Sequence, residues 1–414
     1  MEGPVSSKAF RLAMNIIFVT LGSPYPPDSG VRIRDYQIIT RIAAHHSVTV
    51  LGLFYSQDEV RTVANLQQFC DRVDYEVMRP DSVWKALGRL SDHLKAGRPL
   101  ATYPFYYESM ARKIRRAVLE TGAKIVQVEH SFLAPYIEAI RANAGCKAIL
   151  SLHNLGVRQY DGMRHLNMTA VKKAEFWLKW LSMIGWEARY ASLFDRTLTV
   201  SELERDLLRS GAQGPAVEII PNGCDTRTLV PLPEATAGNG LLYVGTLGYP
   251  PNADAVLHFT QAILPLIRRR VPDIRLVVVG HRPSRAVQRL ADCGDIVLAG
   301  PVADLLPYYR SAKVCIVPLR AGGGTRLKIL EAMALGRPVV STRVGCEGLE
   351  ARDAKHLLVA DAPADFADRV IQLLTDARLR QLLCQNARAL VESAYDWSVI
   401  CQRLLLLYEE LAQS

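Results

Sequence analysis

Short apolar runs of β type alternate along the chain with longer stretches whose apolar residues recur at helical spacing. In the first half the runs Asn15–Thr20, Val48–Phe54, Ile125–Val128, Ala148–Leu152, Thr197–Val200 and Glu218–Ile220 read as strands, with amphipathic helices between most of them. Strands that are apolar throughout and separated by helices belong to parallel sheets covered on both faces. The pattern breaks at Pro221-Asn222-Gly223, and Pro231-Leu232-Pro233 and Gly238-Asn239-Gly240 continue it as a loop-rich connection. It then restarts, with strands at Leu241–Val244, Arg275–Val279, Asp295–Leu298, Val314–Val317 and Val339–Ser341. Helices are expected near 253–270, 326–335, 364–375 and 378–393, with a leucine-rich amphipathic helix from Trp397 to Leu411. The expected fold class is therefore α/β, with two doubly wound Rossmann-like parallel sheets facing a cleft. The domain limits read as 14–225, a linker at 226–240, a second domain at 241–393, and a terminal segment 394–414 packing back on the first domain. Ligands of such sheets bind at the carboxyl ends of the strands.

Length and charge narrow the function. A chain of 414 residues exceeds one ordinary core, and 49% hydrophobic with 22% charged residues excludes a disordered chain. The net charge of +9 suits anionic partners such as nucleotide diphosphates or acidic headgroups, whereas no nucleic-acid-binding signature is present. The eight cysteines are scattered without a C-x-x-C pair, which favours reduced core cysteines and a cytoplasmic protein. Leu12–Leu21 is too short to span a bilayer and lacks a cleavage site, and residues 1–13 read as a loose leader. Asn167-Met168-Thr169 fits a glycosylation sequon by chance as readily as by design.

The densest chemical signal runs from Pro318 to Gly336. Three glycines, Gly322, Gly323 and Gly324, follow a buried strand, and a helix is expected to start near Thr325, a good N-cap residue. Glycines admit close approach of backbone N–H groups to an anion, and the helix N-terminus adds partial positive charge. Arg326 and Lys328 then place two cations in the first turn, where they oppose the helix dipole; a bound diphosphate explains them and local stability does not. Glu331 lies about six residues past the cap, hence about 9 Å along the axis, a reach suited to the ribose hydroxyls of a nucleotide whose diphosphate sits at the cap. Leu327, Leu330 and Ala334 form the expected buried stripe.

The run Gly323–Gly336 resembles the donor-nucleotide motif of retaining glycosyltransferases of family 4, which have the GT-B fold. Blocks in the same order extend the resemblance: Leu242-Tyr-Val-Gly-Thr-Leu, Pro250-Pro-Asn-Ala-Asp, Val277-Val-Val-Gly280, Gly300-Pro-Val-Ala-Asp304, Val317-Pro-Leu-Arg320, Pro338-Val-Val-Ser-Thr342 and Glu347-Gly-Leu349. The first half is similar more loosely, through Pro24–Arg34, Glu129-His130, His153-Asn154, Val200-Ser201 and Ile220-Pro-Asn-Gly223. The resemblance implies that Glu331 holds the ribose and that Pro301 and Val302 meet the nucleobase. The first glutamate of the family's pair would fall at Gly323 and is absent, which puts the usual contact with the donor sugar in doubt. The family's Arg and Lys near the first strand of the second domain are also missing, Thr246 standing where Arg is common, so Arg326 and Lys328 are expected to have taken over phosphate neutralisation.

In the first half, Asp28, Ser29 and Gly30 form a turn opening a helix with Arg32 and Arg34; it is either a second donor contact or a surface turn with solvated arginines. Glu129 and His130 end one strand and His153 the next. By the resemblance either register of Glu129-His130 could face the transferred sugar, with His153 a second candidate. The stretch Lys172–Trp186 mixes cations with three tryptophans and reads as an interfacial helix or a core helix; its nearly all-round apolar circumference favours burial. Arg112–Arg116 reads as a solvated basic face rather than a lipid contact.

The resemblance, with these features, implies a metal-independent, retaining glycosyltransferase. It would take a nucleotide diphosphate sugar, use no cofactor, and act on a saccharide, lipid-linked or small-molecule acceptor. No D-x-D pair and no zinc-spaced cluster is present. By resemblance the setting is polysaccharide or cell-envelope assembly. The expected location is the cytoplasm, with peripheral contact at the inner, anionic face of the cell membrane as a further expectation. The alternatives are a nucleotide-sugar epimerase on the same fold and a non-catalytic nucleotide-sugar-binding protein.

Overall fold

The computed structural model describes residues 14–79, 82–142, 145–166, 168–209, 216–234, 238–292, 294 and 296–413. The leader at 1–13 and Asn167 of the sequon lie outside them. Among the described residues are thirteen strands: β1 Asn15–Leu21, β2 Ser47–Phe54, β3 Arg72–Val77, β4 Ile125–Glu129, β5 Lys147–Ser151, β6 Arg196–Thr199, β7 Val217–Ile219, β8 Asn239–Val244, β9 Ile274–Val279, β10 Ile296–Leu298, β11 Val314–Val317, β12 Val339–Ser341 and β13 Leu358–Val359. They form a seven-stranded sheet ordered β3-β2-β1-β4-β5-β6-β7 and a six-stranded sheet ordered β10-β9-β8-β11-β12-β13. The pairings are parallel, for example Ile17 opposite Thr49 between β1 and β2, and Leu242 opposite Val277 between β8 and β9. The α/β class with two parallel sheets is thus as the alternating pattern predicts. Two compact units result. One comprises Met1–Ser151, Leu193–Arg196 and Leu405–Ser414; the other comprises Leu152–Ser192 and Thr197–Leu404.

Central strands are apolar because helices cover both faces. Ile16, Ile17, Phe18 and Val19 of β1, and Val314, Cys315, Ile316 and Val317 of β11, are all buried. The two strands absent from the sequence reading are β3 and β13, at opposite ends of their sheets. β3 reads Arg-Val-Asp-Tyr-Glu-Val and is half-buried along most of its length, so its polar composition hides it. The helix expected over 253–270 is instead Pro250–His258, a π-turn at Phe259–Ile263 and Leu264–Arg268, with Pro265 just past the irregular turn.

In each sheet the order reverses beside the first strand, between β1 and β4 and between β8 and β11. Loops leaving the carboxyl ends of such a pair enclose a crevice. In the second sheet these are the loop after β8, from Gly245 to Tyr249, and the loop after β11, which carries the three glycines.

The helix Ala170–Met183 corrects the burial expected of Lys172–Trp186. Only Met183 of that helix is fully buried, while Val171, Trp177, Leu178 and Leu181 are exposed. Its inner side rests on the helix Gly156–Arg164: Phe176 stacks on Tyr160 with centroids 6.2 Å apart, and Arg164 lies 4.2 Å over the ring of Trp180. An all-round apolar circumference is covered here from one side only. The basic run Arg112–Arg116 lies on the helix Glu108–Thr121, where Lys113 pairs with Asp74 at 2.9 Å and Arg115 with Glu108 at 3.2 Å. It is a solvated, internally paired face. Cys70, Cys146, Cys224, Cys315 and Cys401 are buried.

Candidate functional site

The helix that follows the glycine loop spans Leu327–Ala334 and buries Ile329, Leu330, Ala332, Met333 and Ala334. Its N-cap is Arg326, in extended conformation, rather than Thr325. The Thr325 hydroxyl accepts from the Asn222 amide at 2.9 Å, and the residue stands one position before the cap. Arg326 therefore leaves the helix axis and folds back over the loop, where one terminal nitrogen donates to the carbonyls of Gly323 and, at 2.7 Å, Gly324. Glycine is required here: Gly322 and Gly324 have φ of 130° and 70°, and a Cβ on Gly322 would lie 2.7 Å from the Arg326 Nη2.

Arg326 Nε and Nη2 are buried with no hydrogen-bond partner among the described residues. Buried donors of a charged group are expensive to leave unpaired. Burial lowers the pKa of this guanidinium. One terminal nitrogen satisfied at the loop, and two further nitrogens buried without a partner among the described residues, describe a cation held in place with donors left for an anion.

Lys328 completes the cationic pair. Its Nζ donates to the Tyr243 hydroxyl and to Asn252 Oδ1, each at 3.1 Å. The Tyr243 hydroxyl donates to the same Asn252 oxygen at 2.8 Å, and Asn252 Nδ2 donates to the Thr246 carbonyl at 3.0 Å. A Cβ on Gly245 would lie 2.6 Å from Nζ, so glycine makes room for the ammonium. Lys328 thus delivers its charge to the loop after β8, where Thr246 replaces the expected arginine. Burial, followed by the repulsion of Arg326, pushes its pKa down to about 7, with Glu331 opposing. Neutral pH therefore leaves this ammonium poised between charged and uncharged.

Glu331 is half-buried one turn farther along the helix, and its Oε2 accepts from the Tyr309 hydroxyl at 3.3 Å. Burial raises its pKa, opposed by the Tyr309 bond and by Lys328. Pro301 and Val302 leave the carboxyl end of β10 just after Gly300, whose carbonyl accepts from Gly280 N at 3.1 Å. His153 approaches the glycine loop through its main chain: a Cβ on Gly324 would meet its carbonyl oxygen at 2.9 Å. The second unit therefore brings together Gly323, Gly324, Thr325, Arg326, Lys328, Glu331 and His153 around the β8/β11 switch point. Tyr243, Asn252 and Tyr309 are the members that sequence reasoning missed. Tyr243 and Asn252 sit in the quoted blocks, but nothing local ties them to a lysine dozens of residues away.

The first unit holds the remaining candidates near its own switch point. Ser29 caps the helix Gly30–Ala43 without a side-chain bond. Asp28 is tied to Arg32 at 3.1 Å, and Arg32 also reaches Glu59. Arg34 is fully buried, so the picture of two solvated arginines does not hold. Glu129 is buried at the end of β4, accepting from Gln127 Nε2, and Gln127 in turn accepts from the Tyr408 hydroxyl at 2.6 Å. His130 follows with φ of 98°, a left-handed value rare outside glycine, and its ring stacks on Phe132 at 5.0 Å.

Comparison with known proteins agrees in both halves. A family model described as Glycosyltransferase Family 4 matches residues 29–228, and one described as Glycosyl transferases group 1 matches residues 238–376. A 44.6 kDa protein of the cps region of Klebsiella pneumoniae, described as uncharacterized, is 22% identical over 395 residues, covering 92% of this chain and 96% of that one. Phosphatidyl-myo-inositol mannosyltransferase of Mycobacterium tuberculosis is 30% identical over 235 residues, covering 52% of this chain and 60% of the mycobacterial protein, which is less than two thirds of its length. Among solved structures, sucrose-phosphate synthase of Thermosynechococcus elongatus superposes with a TM-score of 0.70 at 19% identity, covering 97% of this chain and 100% of that one. HepE of Anabaena in complex with UDP-glucose gives 0.67 at 14%, covering 96% and 100%. At these identities the structural likeness speaks for the fold.

Proposed function

Because the chain belongs to the family 4 glycosyltransferases of the GT-B fold, enzymes of the transferase class, we propose that it moves a sugar from a nucleotide diphosphate donor to a saccharide, lipid-linked or small-molecule acceptor, with retention of configuration and without a metal. The observation that carries the donor reading is Arg326, with two buried unpartnered donors beside the Lys328 ammonium at a glycine loop. A nucleoside diphosphate supplies the missing acceptors. HepE of Anabaena, similar in fold, is solved with UDP and with UDP-glucose.

In this reading the diphosphate lies against Arg326, Lys328 and the helix N-terminus, the ribose against Glu331, and the base against Pro301 and Val302. The leaving diphosphate gains charge in the transition state, and two fixed cations in a half-buried site stabilise that charge more than they stabilise the ground state. Two cations so placed serve the role a divalent ion would otherwise fill. The acceptor hydroxyl attacks from the face the diphosphate leaves, and Glu129 or His130 faces the transferred sugar.

Contact with an anionic membrane is part of the proposal. It is supported by the outward stripe Val171, Leu178 and Leu181 with Trp177, flanked by Lys172 and Lys173, on the helix Ala170–Met183. No helix among the described residues is long and apolar enough to cross a membrane. Flotation with phosphatidylglycerol vesicles and with phosphatidylcholine vesicles tests this part, binding to the former alone being expected.

The experiment for the donor reading is a thermal-shift screen of UDP-, GDP- and dTDP-sugars, followed by NMR of the product's anomeric centre. A ligand at a hundred times its Kd raises stability by about 2.7 kcal/mol. Stabilisation by one nucleotide class and a product of unchanged anomeric configuration are expected. Conversion of donor alone to its epimer would favour an epimerase instead.

A further inference from the structure

The donor reading fixes a direction. Lys328 precedes Glu331 on the helix Leu327–Ala334, at about 1.5 Å of rise per residue, and Arg326, the cap before it, folds over the glycine loop, so the three succeed one another toward that loop. A nucleotide with its ribose at Glu331 and its phosphates at Lys328 and Arg326 therefore directs its sugar past Gly322–Gly324. That loop has no side chain with which to recognise hydroxyl groups.

What stands beside the loop is the segment leading into the helix Gly156–Arg164. A Cβ on Gly323 would meet the Cβ of Asn154 at 3.5 Å and that of Gln159 at 3.6 Å. Gly162, one turn after Gln159 on the same helix face, packs so closely that a Cβ there would lie 3.1 Å from the Gly322 nitrogen. Gln159 is hydrogen-bonded through its side chain to Tyr249, which interacts electrostatically with Arg326. The next residue back, Arg158, pairs with Glu347 at 2.6 Å and holds the helix in this position. Asn154 and Gln159 are both half-buried. An amide offers donors and an acceptor together, the combination that neighbouring sugar hydroxyls require.

We propose that Asn154 and Gln159 recognise the donor sugar and determine which sugar is accepted, filling the role left open by the missing side chain at 323. The proposal rests on the donor reading above. Its consequence is a division of labour: Arg326, Lys328 and Glu331 bind any nucleoside diphosphate, while the two amides discriminate between sugars that differ at one hydroxyl.

The test compares wild type with Asn154→Ala, Gln159→Ala and the near-isosteric Gln159→Met, which keeps the helix packing if alanine does not fold. Calorimetry measures Kd for UDP and GDP. Donor hydrolysis measures kcat/KM for UDP-glucose against UDP-galactose and for GDP-mannose against GDP-glucose. Expected are a Kd for the free diphosphate within about twofold of wild type, a loss of about tenfold in kcat/KM for the preferred donor, and compression of the ratio between epimeric donors toward one. Equal weakening of free diphosphate and nucleotide sugar, or an unchanged epimer ratio, would overturn the proposal. Wild type that binds neither UDP nor GDP would overturn the donor reading itself, and this inference with it.

Discussion

Lys328 provides the sharpest test of the cationic cradle, through Lys328→Met. Methionine keeps the apolar stem and removes the ammonium. In the empty protein the lysine titrates at about 7, against about 10.5 for its ordinary value, because burial and Arg326 oppose its charge. The unfolded chain therefore binds more protons than the folded one between pH 7 and pH 10, and stability rises with pH across that window. The slope contributed by this one group is about 1.4 kcal/mol per pH unit. The variant lacks it. Below pH 7 the full cost of the buried charge falls on the wild type, a few kcal/mol offset by about 1 kcal/mol for each hydrogen bond to Tyr243 and Asn252. Urea denaturation of both proteins at pH 6.5, 7.5, 8.5 and 9.5 measures the difference; groups that do not interact with Lys328, buried Glu204 included, cancel in the comparison, whereas Glu331, whose charged form Lys328 favours, titrates higher in the variant. Lys328→Met is expected to be the more stable at pH 6.5, with the two converging as the pH rises. Binding of UDP or GDP should show the counterpart: the bound diphosphate favours the ammonium, so wild-type affinity falls with rising pH above 7 by up to about tenfold per unit. Stability curves that stay parallel across the whole range would refute both the buried charge and its role.

Arg326→Ala removes two buried unpartnered donors, so turnover should fall by about 10²–10³ while the melting temperature of the empty protein is not lowered, as specific activity and calorimetry on the same preparation would record. Glu331→Ala should weaken UDP or GDP by about 1.5–3 kcal/mol without weakening inorganic pyrophosphate, and equal loss for both would place Glu331 away from the ribose. Gly324→Ala, at φ of 70° with the His153 carbonyl 2.9 Å from the new methyl group, should cost about 1–2 kcal/mol or more in denaturation experiments. Activity should survive EDTA; a loss that Mg²⁺ or Mn²⁺ restores would mean that the two cations do not suffice.

The alternation of apolar runs and helical periods was enough to determine two parallel sheets, because strands buried on both faces must be apolar and must be separated by crossovers. The run from Gly322 to Glu331 was equally legible, since glycines, cations and a carboxylate at fixed spacing lie on one loop and one helix. Where a strand is polar because it lies at a sheet edge, as in β3, the pattern is silent. The apolar circumference of Lys172–Trp186 pointed to burial, yet only the Gly156–Arg164 helix covers it, and the number of covering elements is not a local property. The cap also differs: Thr325 is a good cap by composition, but the helix begins one residue later, with Arg326 at its cap and the Thr325 hydroxyl bonded to Asn222, about a hundred residues away. Tertiary structure alone joined Lys328 to Tyr243 and Asn252 and brought Asn154 and Gln159 beside Gly323. Those contacts depend on the order of strands in the second sheet and on the packing of a distant helix, and side chains so far apart in the chain leave no shared spacing by which to find one another.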